Sequence, residues 1–129
     1  MKTILSVLAL VLIFLPEFAY AESVNLDCTV LDFDNNSNIN FTVKVEESSG
    51  KITHTKRKSK AITTEGLFTP NKISYQTKEY VRAFNADVMY KFEINSSTLE
   101  VKRYSVRPGT DTFLPAGEGE CEIINVKDR

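Results

Sequence analysis

The 129-residue chain balances 16 Lys and Arg against 17 Asp and Glu, a formal charge of −1. That balance excludes a surface built throughout for nucleic acid and makes any charge-driven function local. Two cysteines and a single histidine are also too few good ligands for a zinc centre.

The first 21 residues read as an export signal. Lys2 gives a positive start, Ile4 to Leu15 is an uninterrupted run of mostly large apolar residues, and Pro16 breaks it. Ala19-Tyr20-Ala21 then offers the small residues that signal peptidase needs, so cleavage is expected after Ala21. The apolar run is about half of the ~20 residues of a membrane-spanning helix, and no later run is longer. An uncleaved anchor is the rival reading. Cleavage removes Lys2 and Glu17, keeps the charge at −1, and leaves residues 22–129 as one β domain, periplasmic or secreted, with no transmembrane segment.

From there the hydrophobic spacing has period two. Val24, Leu26, Cys28 and Val30 occupy alternate positions, pointing Cys28 inward. Asp34-Asn35-Asn36-Ser37-Asn38 is a turn, and Ile39 to Val45 alternates apolar and polar without a fault, as a strand with one wet face should. Ser48-Ser49-Gly50 and Thr69-Pro70-Asn71 mark further turns. Lys78 to Ala86 is the segment where a short helix competes with a strand. Tyr90 to Ile94 and Leu99 to Lys102 alternate again, joined by Asn95-Ser96-Ser97 in a hairpin. Pro108-Gly109 and Pro115-Ala116-Gly117 bound a loop, after which Gly119, Cys121 and Ile123 share one face and Glu118, Glu120 and Glu122 the other. Seven to nine short strands joined by short turns give an all-β domain, a small antiparallel meander closing into a barrel; a β-sandwich is the alternative.

Cys28 and Cys121 fall on inward faces of the terminal strands, and two lone cysteines in an oxidising compartment are expected to pair. The bond closes a loop of about 94 residues, for which chain entropy gives ~4–5 kcal/mol. No Cys-x-x-Cys spacing or neighbouring histidine supports a redox thiol.

Leu26-x-Cys28, Ile73-Ser74-Tyr75, Tyr90 to Asn95 with Thr98-Leu99, and Gly119-Glu120-Cys121 together resemble a loose group of small uncharacterised exported bacterial and phage β-domain proteins with one terminal cysteine pair. Where that group usually carries Asn-Arg-x-Thr-Gly, this chain has Ser96 and Leu99 at the Arg and Gly positions, so no role of that Arg transfers. The resemblance implies the β fold and the disulfide and no activity.

No catalytic set converges. His54 sits in an alternating polar segment and reads as solvent-facing, and no Gly-x-Ser-x-Gly elbow occurs. Glu118, Glu120 and Glu122 stand about 7 Å apart along one face, near acid–base spacing, yet like charges also guard a strand edge. Asp32, Asp34 and Asn36 match the first three ligand positions of a calcium loop, but Ser37 and Val43 stand where Gly and Glu are needed. A turn rich in Asx residues accounts for the same run. No metal or cofactor is therefore assigned, and the expectation is a non-enzyme.

Two surfaces remain. Lys56, Arg57, Lys58 and Lys60 lie in a window without acidic residues, a basic strand suited to phosphates or an acidic partner, or lysines protecting an exposed edge. No aromatic residue interleaves with them, which disfavours nucleic acid. Leu67 and Phe68, between Gly66 and Pro70, are either a loop anchor for a protein or a plug for one barrel end. The reading is an exported, non-catalytic binding module, an inhibitor being one version, that engages an extracytoplasmic protein or an anionic envelope component. The alternative is a small-molecule or lipid carrier using the barrel interior. Inward Phe41, Val43, Val45, Phe92, Ile94 and Val101 are large enough to fill a narrow barrel.

Overall fold

The computed structural model describes residues 23–125; the export signal expected at residues 1–21 lies outside them. Nine strands are present: β1 (Val24–Asp32), β2 (Ser37–Glu46), β3 (Lys51–Lys56), β4 (Ile62–Glu65), β5 (Leu67–Thr69), β6 (Lys72–Val81), β7 (Ala86–Asn95), β8 (Glu100–Val106) and β9 (Leu114–Asn125). All pairings are antiparallel, and the sheet runs β4-β3-β2-β1-β9-β8-β7-β6-β5. The two outermost strands are separated in sequence by Gly66 alone, so one extended segment leaves β3 and crosses to β6. The sheet thereby nearly closes into a barrel with eight walls, a size whose interior side chains just fill. Gly66 is suited to the crossing, because a Cβ there would lie 2.7 Å from Ile52 Cγ1 and 3.1 Å from the Phe68 ring.

The first and last strands form the remaining seam. Cys28 faces Cys121 across it in register, and the two are disulfide-bonded, as the period-two reading of both ends expects. Gly119 sits opposite Val30, where the β1 backbone comes so close that a Cβ would meet the Val30 Cα at 2.7 Å.

Period two carries the core. Inward Val24, Leu26, Cys28, Val30, Phe41, Val43, Val45, Ile52, Ile73, Phe92, Ile94 and Val101 are all buried. At roughly 25 cal/mol per Å² of apolar surface, each large side chain contributes about 1.5–3 kcal/mol. These residues fill the barrel from its middle to the end bearing the 47–50, 70–71 and 96–99 connections.

Several local expectations change. Lys78 to Ala86 is strand, turn and strand, because Thr77, Glu79 and Val81 continue the inward frame of β6. Pro115-Ala116-Gly117 lies inside β9, where the register with β8 shifts between Arg103 and Tyr104. That irregularity accommodates the proline, which has no N–H for the ladder. The strand bearing Glu118, Glu120 and Glu122 is paired on both sides, to β1 and β8, so these outward glutamates guard no edge.

Candidate functional site

Connections 33–36, 57–61, 82–85 and 107–113 all lie at the other end of the meander. They bring Arg57, Lys58, Lys60, Arg82 and Arg107 together against Asp34 and Asp111, whereas the opposite connections hold Glu47 and no basic residue. Among the described residues, Arg57, Lys58 and Lys60 make no ion pair; Arg107 pairs with Asp34 at 3.5 Å and lies over Phe84.

The expected basic strand is not a strand. Lys56 is the last residue of β3, and Arg57 to Lys60 form the connection beyond it, with Lys58 at φ 64°. β4 pairs β3 only from Lys51 to His54, so Lys56 and the charges after it stand beyond the paired stretch, and edge protection still accounts for part of them. Exposed aromatics missing from the basic window in sequence reach the same rim from elsewhere: Phe33, Tyr80 and Phe84.

Beneath this rim the inward frame turns polar. Following β1, β3, β6 and β8 upward, the apolar residues give way to Asp32, to His54 and Lys56, to Thr77 and Glu79, and to Arg103 and Ser105. Of these groups Asp32, Lys56, Glu79 and Arg103 line an open cavity of about 460 Å³, together with Asn38, Asn40, Arg57 and Tyr90. The volume falls in the range of small-molecule sites.

A ring cluster separates the cavity from the apolar half. Phe41 stacks on His54 at 4.6 Å, Tyr75 stacks on Phe92 at 5.2 Å, and His54 and Phe92 lie 4.9 Å apart. His54 is 2 % exposed and shares a 2.8 Å hydrogen bond through Nδ1 with the Tyr75 hydroxyl. The solvent-facing histidine expected from sequence is thus a buried core residue. Burial first, then Lys56 and Arg103, lower its pKa from 6.5 to about 4, so it is neutral at pH 7. Burial also drives the Tyr75 hydroxyl well above its usual range.

At the cavity wall Arg103 is 6 % exposed. Its Nη1 lies 3.4 Å from the Ala116 carbonyl and 3.7 Å from an Asp32 carboxylate oxygen, and its guanidinium packs over the Tyr90 ring at 4.2 Å. Asp32 is well supplied in addition, accepting the Asp34 N–H at 2.9 Å and the Asn35 amide at 3.2 Å. Lys56 spans the interior to Glu79 at 3.3 Å. Burial raises the Tyr90 hydroxyl, against the opposing effect of Arg103.

The calcium-loop residues therefore take separate places. Asp32 points inward to Arg103 and accepts the Asp34 N–H in an Asx turn, Asp34 pairs with Arg107, and Asn36 adopts a left-handed φ of 57°, which asparagine tolerates. Leu67 is 67 % exposed, while Phe68 is half-buried against the core. One residue of that pair is available to a partner and its neighbour closes the wall, at the end away from the cavity. The residues that sequence reasoning missed, Arg103, Tyr90, Thr77 and Glu79, were signalled by the inward frame they continue. A comparison with family models, with curated proteins and with solved structures finds no match.

Proposed function

We propose that this protein is an exported, non-catalytic binding module that engages an anionic partner, an extracytoplasmic protein or an envelope component, through the open end of its barrel. The observation that carries this reading is the asymmetry of the two ends: one is filled by apolar side chains, while the other holds a polar cavity beside a connection whose Arg57, Lys58 and Lys60 make no ion pair among the described residues. Opposite charge steers association and sets orientation. The exposed Phe33, Tyr80 and Phe84 beside those charges are the residue types that anchor recognition surfaces. The filled apolar half argues against a lipid chain held inside, and the cavity favours a polar small molecule as the second form of the same reading.

Affinity capture from envelope extract with the disulfide-bonded protein tests it. Changing Arg57, Lys58 and Lys60 together to Ser is expected to abolish capture, and salt is expected to weaken it. Changing the outer-wall residues Lys44, Lys72 and Lys102 to Ser is expected to leave it intact. Capture that survives the first set and fails with the second overturns the assignment to the open end.

A further inference from the structure

We propose that Arg103 is the receptor for an oxyanion, a carboxylate or phosphate group carried by the ligand into the cavity; this rests on the open end being the binding end. A buried guanidinium ordinarily has its charge matched by close acceptors, since an under-paired buried charge is costly. Arg103 departs from that pattern. Its two protein acceptors stand at 3.4 and 3.7 Å, the outer limit of useful contact, and both face Nη1. Among the described residues, its other N–H groups have no protein acceptor, and the residue lines the cavity.

Asp32 balances the Arg103 charge only from 3.7 Å and only at Nη1, because its oxygens are held nearer the Asp34 N–H and the Asn35 amide, at 2.9 and 3.2 Å. Packing on Tyr90 holds the guanidinium plane in place from one side, which preserves the fork that recognises two oxygens at once. The remaining cavity wall adds donors in the same direction. Lys56 has N–H groups beyond the one given to Glu79, Arg57 is unpaired, and the Tyr90 hydroxyl has no partner among the described residues. Three cations, Lys56, Arg57 and Arg103, line the cavity against Asp32 and Glu79, with Lys56 paired to Glu79 and Arg103 facing Asp32, which leaves one positive charge in excess. A donor-rich wall of this kind is matched by an acceptor-rich anion, and a neutral or cationic ligand would leave the donors unanswered.

The test follows the Arg103 Nε–H and the backbone amides of the disulfide-bonded protein by nitrogen-15 NMR. Inorganic phosphate, acetate and chloride are added separately at matched ionic strength, up to about 100 mM, where millimolar affinities saturate. Saturable movement of Arg103 and the Tyr90 amide with phosphate or acetate, and not with chloride, is expected; the stronger of the two identifies the group. Arg103→Lys keeps the charge but loses the fork and is expected to bind roughly tenfold more weakly. Arg57→Gln, on an exposed connection where folding is not at stake, is expected to weaken binding about threefold.

An Arg103 signal unmoved by either oxyanion, or moved equally by chloride, overturns the assignment, as does unchanged binding in both variants. If Arg103 is silent while capture still depends on Arg57, Lys58 and Lys60, the oxyanion site falls and the binding end stands. Movement confined to the outer-wall lysines sinks both.

Discussion

His54 and Tyr75 share a 2.8 Å hydrogen bond that joins β3 to β6 through the barrel interior, two strands that no ladder connects directly. The crossing segment β4–β5 stands between them in the wall, so the interior contact fastens the barrel where its backbone closure is thinnest. The imidazole is neutral there, because burial first, and then the positive charge of Lys56 and Arg103, disfavour its protonated form.

Stability is therefore expected to fall as the solution is acidified from pH 7 to pH 5. The unfolded chain takes up a proton near pH 6.5, whereas the folded one resists until about pH 4, so the unfolded state binds more protons throughout that window. The loss at pH 5 is about 2 kcal/mol, and roughly 3 kcal/mol once the folded form also titrates. Because His54 is the only histidine, denaturant unfolding of His54→Gln should show a flat profile between pH 7 and pH 5.5. A slope equal to that of the unmodified protein would refute this account.

Thr77 presents the opposite case, a buried hydroxyl oxygen with no hydrogen-bond partner among the described residues, at 3 % exposure. Thr77→Val keeps the branched shape and removes the unanswered polar group. It is expected to raise stability by about 1 kcal/mol, read as a shift of the urea midpoint at unchanged slope. Destabilisation instead would mean that the hydroxyl is answered by a group the protein atoms do not supply.

On the β1–β9 seam, Gly119→Ala places a methyl group against backbone, 2.7 Å from the Val30 Cα and closer still to the Thr29 carbonyl oxygen. Backbone cannot step aside as a flexible side chain does. The expected cost is about 3 kcal/mol, measurable by thermal unfolding, with loss of amide protection in β1 and β9 before the other strands.

Reduction of Cys28–Cys121 releases the same seam, with a sequence separation of 93 residues. The expected loss is roughly 2–5 kcal/mol, which is a large part of the ~5–15 kcal/mol available to a domain. A Cys28→Ala, Cys121→Ala variant should reproduce the reduced protein in its denaturant midpoint. A shift below about 1 kcal/mol would show that the neighbouring strands hold the seam unaided.

The apolar half of this fold was legible in the chain because alternation carries direction only when the two faces differ. Val24 to Val30 and Ile39 to Val45 are apolar at every second position, so strand, facing and the inward cysteines followed together. In the polar half that contrast disappears. Ile52, His54 and Lys56 occupy one frame, and a histidine between threonines gives no local sign of facing inward. Only the neighbouring Ile52 carries the direction, and extending its frame by two and four positions would have found His54 and Lys56. The basic window shows the converse error. Four cations near one another suggested a strand, whereas a left-handed Lys58 turns the chain and spreads them round a rim. Convergence with Phe33, Phe84 and Arg103 depends on closure of the whole meander, which no local pattern encodes.

The β1–β9 seam also sets how the molecule is held. Asn25 pairs with Asn125 at its lower edge, so both ends of the described chain leave from the filled end. Any tether, tag or neighbouring domain joined at either point would stand behind the barrel. The molecule has the form of a cup with both chain ends at its base, so a tag fused at either end is expected to leave the mouth unobstructed.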